Sequence, residues 1–235
     1  MTQLEGKVIA ITGATRGIGA AVAKRCAREG AHMVLIARSV EGLEHMDDAI
    51  HALGGKATLV PLDLAQHDMI DALGAAIYQQ FSALDGLVAN AAILGSLTPL
   101  THITPAQFQQ IFDVNVTANW RLLRILDPLL ARAPHPRAVF VTSGITKAPT
   151  PYWGAYAASK AALESLVTTY AAETTHNSMR VNCLDPGAIA TSMRAQAFPG
   201  EDASSLMQPD DERLNDAFVQ LLSDDVSQHG ERVTL

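Results

Sequence analysis

A glycine-rich turn stands between a short apolar run and a segment of helical period near the start of the chain. The apolar run is Lys7 to Thr12, the turn is Gly13 to Gly19 with sequence GATRGIG, and the helical segment follows it. Glycines allow a tight turn and a close backbone approach to a ligand, and the first turn of a helix offers unpaired amides to an anion. In this place between a strand and a helix, the turn predicts a pyrophosphate site in a sheet with helical crossovers.

The rest of the chain repeats this alternation of short runs rich in Val, Ile and Leu with segments of helical spacing. Continuous apolar runs of this length indicate strands that are buried on both faces. The predicted strands are Lys7 to Thr12, Met33 to Ala37, Ala57 to Leu62, Leu84 to Asn90, Ala138 to Ser143 and Met179 to Leu184. The predicted helices are Gly17 to Glu29, Glu41 to Leu53, Gln66 to Phe81, Pro105 to Arg132 and Tyr152 to Thr175. The alternation predicts an α/β fold with a Rossmann-type, doubly wound parallel sheet.

Local signals mark one helix start and one surface segment. Thr104, Pro105 and Gln107 form the pattern of a capping box with proline at the first helical position. The stretch from Phe198 to Asp211 has Pro, Gly, Ser and four acidic residues, which indicates a mobile surface segment that could act as a lid. No linker divides the 235 residues, so residues 1–235 are predicted to form a single nucleotide-binding catalytic domain.

Composition argues against several classes of protein. The net charge is -7, and no stretch gathers Lys and Arg into the stripe that nucleic-acid binding requires. No apolar run reaches membrane-spanning length, and the first residues do not resemble a secretory signal, so we expect a soluble, cytoplasmic protein. The two cysteines, Cys26 and Cys183, are expected to be reduced core residues. The eight histidines show no ligand spacing, so no metal site is expected.

Two arginines lie where they could recognise the adenosine end of a dinucleotide. Sites that favour NAD place an acidic residue near the end of the second strand, where it binds the adenosine ribose. This chain has Ala37-Arg38-Ser39 there instead, and Arg16 lies inside the glycine turn. Because arginine pairs well with phosphate, the two side chains favour NADP(H) over NAD(H). The alternative is that both arginines are solvated surface charges.

A tyrosine and a lysine share one face of the helix that follows the fifth strand. Tyr156 and Lys160 are four residues apart, a spacing that brings side chains together on a helix. A phenol with a pKa of ~10 is a poor acid–base catalyst at neutral pH, so we expect the Lys160 cation to lower the pKa of Tyr156. Ser143 ends the fifth strand, at the sheet edge where such folds bind ligands. In isolation, the same Tyr and Lys spacing would also suit simple packing.

With the glycine turn, Ser143, Tyr156 and Lys160 together, the sequence resembles the short-chain dehydrogenase/reductase family over nearly the whole chain. The resemblance implies that Asn115 is a fourth catalytic residue. It also implies that the segment after the sixth strand receives the nicotinamide carboxamide. The implied cofactor-binding residues are Gly13, Thr15, Arg16, Gly17, Ile18, Gly19, Arg38, Asp63, Leu64, Asn90, Tyr156, Lys160, Pro186, Gly187, Ile189 and Thr191.

The chain departs from the family pattern at two places. Ala92 stands where the family often has glycine, so the similarity to the family is weaker at the turn that begins at Asn90. The segment from Gly230 to Leu235 has room for at most a short final strand, without the glycine-containing tail of many members. The contacts that such a tail makes therefore cannot be carried over from the family.

The activity implied by the resemblance is interconversion of a carbonyl and an alcohol by hydride transfer with NADP(H). Tyr156 would transfer the proton, Ser143 would bind the substrate oxygen, Lys160 would hold the nicotinamide ribose, and Asn115 would anchor a water. A narrower alternative is a 3-oxoacyl thioester reductase, although no basic patch for an acidic carrier protein is visible. Another alternative is a catalytically silent NADP-binding sensor or scaffold, against which the complete set of four residues argues.

Partners follow from the same resemblance. A small-molecule carbonyl or alcohol is the expected substrate, and a homodimer or homotetramer is the expected assembly. The small residues from Gly154 to Ala162 would let two such helices approach closely. Trp153 could line an apolar substrate pocket or could equally be a core or subunit contact.

Overall fold

One parallel sheet organises the computed structural model, which describes residues 2–175 and 177–235; Met1 and His176, one of the eight histidines, lie outside the described residues. The strands are β1 (Val8–Thr12), β2 (His32–Ala37), β3 (Lys56–Pro61), β4 (Gly86–Ala89), β5 (Arg137–Val141), β6 (Arg180–Asp185) and β7 (Arg232–Thr234). In the described chain these seven strands pair in the order β3-β2-β1-β4-β5-β6-β7. The prediction of a doubly wound parallel sheet is confirmed, and the predicted strands differ from the observed ones by one or two residues at their ends.

Helices cover both faces of the sheet. They are α1 (Gly17–Arg28), α2 (Val40–His51), α3 (His67–Gln80), α4 (Pro105–Phe112), α5 (Ala118–Leu130), α6 (Gly154–Glu173), α7 (Ser192–Ala197) and α8 (Glu212–Leu222). After β1 the chain moves outward through β2 and β3, and it then returns to place β4 on the other side of β1. This reversal leaves a crevice at the carboxyl ends of β1 and β4, which is where open α/β sheets bind ligands.

The predicted helix from Pro105 to Arg132 is a single helical rod with one irregular turn. It begins with the predicted capping box: the Thr104 side chain accepts from the Gln107 amide, and the Gln107 side chain accepts from the Thr104 amide. A π-helical turn, Asp113–Thr117, then separates α4 from α5. Such turns hold one extra residue and recur at functional sites. Asn115 lies within this turn.

The structure adds two helices after β6 that the sequence analysis did not predict. The short α7 follows Thr191, and α8 begins after Asp211, whose carboxylate accepts from the Arg213 amide as an N-cap. Between these helices, the segment from Phe198 to Asp211 contains a 3-10 turn, and Met207 forms an isolated parallel bridge with Ile189. A β-bridge therefore ties this segment to the chain after β6. Whether it acts as a lid stays a prediction.

Two apolar cores lie on opposite faces of the sheet. On one face, α1 and α8 pack against β1 through residues such as Val22, Cys26 and Phe218, all fully buried. On the other face, α5 and α6 contribute buried residues that include Leu126 and Val167. Burial of one such side chain stabilises the fold by roughly 1.5–3 kcal/mol. The rigid sheet that results fixes the positions of the loops at its carboxyl edge.

Candidate active site

The loops at the carboxyl edge of the sheet enclose a cavity of about 860 Å³. It extends from the glycine turn after β1 to the start of α6 and the segment after β6. Most of the predicted site residues line it, namely Gly13, Thr15, Arg16, Gly17, Ile18, Arg38, Asp63, Leu64, Asn90, Ser143, Tyr156, Lys160, Pro186, Gly187, Ile189 and Thr191. Two predicted residues, Gly19 and Asn115, lie behind its wall. One cavity thus joins the predicted nucleotide end to the predicted catalytic end.

The glycine turn has the backbone shape that its sequence predicts. Gly13 and Gly17 adopt φ angles of +66° and +54°, in the left-handed region that favours glycine. Gly19 packs so closely that a Cβ atom there would lie 2.2 Å from the carbonyl oxygen of Gly13. Helix α1 starts without a side-chain cap, so its first amides are free to bind an anion.

Thr12 and Asn90 fix the turn from the neighbouring strands. The Thr12 hydroxyl accepts hydrogen bonds from the amides of Asn90 and Ala91, both at 3.0 Å. The Asn90 side chain donates to the carbonyl oxygens of Thr12 at 3.0 Å and Gly13 at 3.4 Å. The turn at Asn90 therefore forms with alanine at position 92. Thr12 was not predicted as a site residue, although a polar residue at the end of a buried strand is a recognisable signal.

The two predicted arginines lie at the mouth of the cavity. Arg16 precedes α1 and Arg38 follows β2, and both side chains are exposed. Neither forms an ion pair with any of the described residues. Asp63 also lines the cavity, and its carboxylate accepts from the Ala65 amide at 3.0 Å. Two cations free to pair with an anion therefore stand at the end of the cavity near β2.

Helix α6 carries the predicted proton-transfer pair into the cavity wall. Tyr156 and Lys160 are 7% and 2% exposed, and the Lys160 Nζ lies 5.9 Å from the centroid of the Tyr156 ring. The ammonium donates to the carbonyl oxygen of Val141, at the end of β5, at 2.8 Å. Ser143 follows two residues later and lines the same cavity. The structure therefore brings the three residues together as predicted.

The protonation of this pair differs from the sequence-based expectation. Burial raises the pKa of Tyr156 to about 12; the neighbouring Ser143 hydroxyl acts to lower it, and the Asp185 carboxylate acts to raise it. Burial also lowers the pKa of Lys160 to about 8. The expectation that Lys160 lowers the pKa of Tyr156 is therefore wrong for this structure. The physical reason is that the Lys160 ammonium donates to the Val141 carbonyl and that desolvation of the Tyr156 phenol dominates.

Asn115 has a supporting place in the π-helical turn. Its side chain is fully buried, accepts from the Ile93 amide and donates to the Ile93 carbonyl, both at 2.9 Å. It also donates to the Ser159 hydroxyl in α6 at 3.0 Å. Its own carbonyl oxygen accepts from the Asn119 side chain at 2.9 Å. Asn115 therefore links the loop after β4 to α6, and its predicted role as a water anchor stays a prediction.

The loop after β6 closes the far side of the cavity. Gly187 adopts a φ of +71°, and its amide donates to the Asp185 carboxylate at 3.2 Å. Thr191 caps α7, because its hydroxyl accepts from the Arg194 amide at 3.2 Å. Pro186, Gly187, Ile189 and Thr191 all line the cavity. The segment predicted to receive the nicotinamide thus faces the predicted catalytic group.

Aromatic side chains border the catalytic end. The Trp153 ring lies 5.9 Å from the Tyr156 ring and 5.7 Å from the Phe198 ring, measured between centroids. The Arg194 guanidinium lies 3.8 Å from the centroid of the Phe198 ring and forms two 2.6 Å hydrogen bonds with Glu201. Trp153 lines the cavity, which favours the pocket alternative for this residue. The contact with Phe198 was not predicted.

Within residues 2–175 and 177–235, no three His, Cys, Asp or Glu side chains cluster closely enough to hold a metal ion. None of the helices in the described chain is both long and apolar enough to cross a membrane. Cys26 and Cys183 are both free and buried, as expected.

The sequence of this chain is similar to those of known dehydrogenases and oxidoreductases. Residues 7–202 match the family model described as short chain dehydrogenase. The chain is 34% identical over 225 residues to the uncharacterised oxidoreductase YciK of Escherichia coli, which covers 94% of this chain and 88% of that protein. It is also 34% identical over 202 residues to 3beta-hydroxysteroid dehydrogenase 1 of Eggerthella lenta, covering 85% of this chain and 77% of that protein.

A solved structure supports the same assignment. A short chain dehydrogenase from Shigella flexneri, complexed with NADP, superimposes with a TM-score of 0.94 at 33% identity. The match covers 99% of this chain and 98% of that chain. The similarity therefore includes the region after residue 202.

Proposed function

Because the chain belongs to the short-chain dehydrogenase family and is an oxidoreductase that acts on CH–OH groups, we propose that it is an NADP(H)-dependent carbonyl reductase or alcohol dehydrogenase. The observation that carries the proposal is the single cavity that the glycine turn shares with Ser143, Tyr156 and Lys160. Residues 1–235 would then act as one catalytic domain.

The residues at the nucleotide end fit a dinucleotide phosphate. Gly13 and Gly17 line the cavity without a side chain, so the backbone can approach a pyrophosphate there, and Gly19 allows the start of α1 to pack closely against the Gly13 carbonyl behind them. The uncapped amides of α1 offer hydrogen bonds to it. Arg16 and Arg38 are exposed, have no ionic partner among the described residues, and would bind the 2'-phosphate that distinguishes NADP from NAD.

The protein's own groups would move the proton. When bound, NADP(H) supplies or takes up the hydride. In the reductive direction, Tyr156 would donate its proton to the substrate oxygen, and its raised pKa keeps the phenol protonated at neutral pH. Ser143 would donate a hydrogen bond to the same oxygen as negative charge develops on it. Lys160 would hold the nicotinamide ribose, and Asn115 would keep α6 in register with the loop after β4.

The surroundings of the catalytic group favour an uncharged substrate with an apolar flank. Ile93, Leu94, Trp153 and Met193 line this end of the cavity. Arg194 also lines it, but its charge is paired with Glu201. A carboxylate or phosphate on the substrate would therefore have to compete with Glu201 for the guanidinium. An uncharged ketone or aldehyde would meet apolar surface without that competition.

A cofactor and substrate screen tests the proposal. Oxidation of NADPH and of NADH would be followed with two sets of carbonyl compounds, namely aromatic and aliphatic ketones and aldehydes on one side and 2-oxo acids on the other. We expect turnover with NADPH, a lower kcat/KM with NADH, and a preference for the uncharged set. Binding of NADPH without turnover of any compound would favour the sensor or scaffold alternative instead.

A further inference from the structure

An arginine in the last strand joins three elements of the active site. Arg232 in β7 donates through Nη1 to the Glu164 carboxylate at 2.6 Å and to the Thr146 hydroxyl at 2.5 Å. Through Nη2 it donates to the main-chain carbonyl of Ser143 at 3.0 Å and to the Asp185 carboxylate at 2.8 Å. All four hydrogens of the two terminal nitrogens are thus engaged.

Each partner of Arg232 is a proposed catalytic or cofactor-binding residue or lies within about one helical turn of one in the sequence. Glu164 lies one helical turn after Lys160 in α6, and its carboxylate also accepts from the hydroxyls of Thr146, at 3.1 Å, and Thr142. Asp185 ends β6, immediately before the segment proposed to receive the nicotinamide. The Ser143 carbonyl belongs to the residue proposed to bind the substrate oxygen. One planar guanidinium therefore connects the ends of β5 and β6 with α6.

The same arginine compensates charge beneath the site. The Asp185 side chain is only 3% exposed, and those of Glu164 and Arg232 are 23% and 22% exposed. Carboxylates removed from water to this extent require a cationic partner. The Lys147 ammonium also lies 3.8 Å from the Asp185 carboxylate, but its side chain is 54% exposed, so Arg232 is the nearer and more buried cation for Asp185. Lysine would keep the charge but, as a single ammonium, could not reproduce the fork that reaches four acceptors on three elements.

The last strand does not require Arg232 for its pairing. The Gly230 amide donates to the Val181 carbonyl at 2.7 Å, and the Cys183 amide donates to the Glu231 carbonyl at 2.9 Å. The Leu235 amide donates to the Asp185 carbonyl at 3.1 Å. Because these backbone bonds already attach β7 to β6, the four side-chain bonds of Arg232 serve the loops and helix that it contacts.

We propose that Arg232 is a positioning residue for the reaction, which sets the orientation of Ser143 relative to Tyr156 and Lys160 by holding the Ser143 carbonyl, Glu164 and Asp185 together. This inference rests on the proposed function. Arg232 lies beyond the segment matched by the family model, which ends at residue 202. The chain thus supplies, from its last strand, contacts to the active site that the family motifs do not include.

The test compares Arg232→Met with Arg25→Met. Arg25 is a matched control because its side chain is also 22% exposed and also bonds two carboxylates, Glu29 and Asp216, but it lies in α1 away from the cavity. Steady-state carbonyl reduction, NADPH titration and thermal unfolding would be measured for both variants. We expect Arg232→Met to lower kcat by about tenfold to a hundredfold, the size of effect that small misplacements cause. Its Kd for NADPH should stay unchanged, and Arg25→Met should retain the wild-type kcat.

A double-mutant cycle separates positioning from general stability. If Arg232 acts through Ser143, Arg232→Met should lower kcat far less in a Ser143→Ala background than in the wild type. The kcat of Arg232→Lys should lie between that of Arg232→Met and that of the wild type. If Arg232→Met does not fold, Arg232→Lys replaces it in the double-mutant cycle.

Failure of the positioning role and failure of the proposed function would give different results. The positioning role alone would be overturned if the effects of Arg232→Met and Ser143→Ala on kcat simply multiply in the double mutant. It would also be overturned if Arg232→Met has the same kcat as Arg25→Met. Absence of carbonyl turnover in the wild type would overturn the proposed function and the positioning role with it.

Discussion

The nucleotide end and the catalytic end of the cavity are built in different ways. At the nucleotide end, Gly13, Gly19 and Asn90 shape the backbone through contacts within the first 91 residues. At the catalytic end, Ser143 and Lys160 are set by hydrogen bonds and ion pairs from elements as distant as β7. The shape of the nucleotide end thus depends on the space left beside main-chain atoms. The arrangement of the catalytic end depends on ion pairs and hydrogen bonds. Binding and chemistry should therefore be separable by mutation.

The largest separation should come from Ser143→Ala. Loss of the hydroxyl removes a proposed donor to the developing oxyanion, so kcat for carbonyl reduction should fall by about 10²–10³-fold. The Kd for NADPH, measured by quenching of tryptophan fluorescence, should remain at the wild-type value. Ser165→Ala, at an exposed position of the same helix as Tyr156, is the control. An equal loss of NADPH affinity in Ser143→Ala would break the distinction between the two ends.

Gly19→Ala should produce the opposite pattern. The added Cβ would lie 2.2 Å from the Gly13 carbonyl oxygen, so the turn must shift. If the overpacking of about 1–3 kcal/mol at this turn is expressed in binding, NADPH affinity should fall by roughly fivefold to 150-fold. Gly74→Ala in α3 is the matched control, because its Cβ would meet the Ile125 side chain at 3.1 Å far from the turn. Wild-type affinity in Gly19→Ala would contradict the proposed role of the turn.

Arg38→Met should separate the binding of NADPH from the binding of NADH at the nucleotide end. If the guanidinium binds the 2'-phosphate, its loss should weaken NADPH binding by about tenfold. NADH affinity should not change, because NADH lacks that phosphate. Parallel calorimetric titrations with the two cofactors measure the difference, and Arg28→Met, at an exposed position at the end of α1, is the control. A similar loss for both cofactors would argue that Arg38 acts only as a surface charge.

The smallest effect should be a pH dependence that belongs to the catalytic end. Lys160, with a pKa of about 8, loses its charge as the pH rises through that value, whereas Tyr156, with a pKa of about 12, keeps its proton. Because the charged ammonium is the form proposed to hold the nicotinamide ribose, the kcat/KM of carbonyl reduction, which reports the free enzyme, should fall as the pH rises through about 8. Lys160→Arg, which stays charged, should not show this step even if its kcat is lower. If activity still decreases as the pH rises through about 8 in Lys160→Arg, another titrating group causes the decrease.

The geometry of the nucleotide end could be predicted from the sequence because its signals are local. The glycine turn follows directly from the first strand, and the capping box at Thr104 and Gln107 spans four residues. The polar residues after the strands were also placed correctly, since parallel strands end at one edge of the sheet. The signal for α8 was present as well, in the N-cap Asp211 and the apolar period that follows it, but the helix was not predicted.

The supporting contacts of the catalytic end could not be predicted because they are non-local. Arg232 meets Glu164 and Ser143 across 68 and 89 residues of sequence, and no local pattern relates these positions. The direction of the pKa shift of Tyr156 was not predicted correctly for a related reason. Spacing brings Tyr156 and Lys160 to one helix face, but the depth of burial, which sets the direction of the shift, depends on the whole fold.

Tyr156→Phe tests the central claim most directly. NADPH-dependent reduction of the best carbonyl substrate and the Kd for NADPH would be measured for this variant and for the wild type. We expect kcat to fall by about 10²–10⁴-fold, because the proton donor is lost, while the Kd for NADPH stays unchanged. A variant that retains wild-type turnover, or that loses NADPH binding together with turnover, would contradict it.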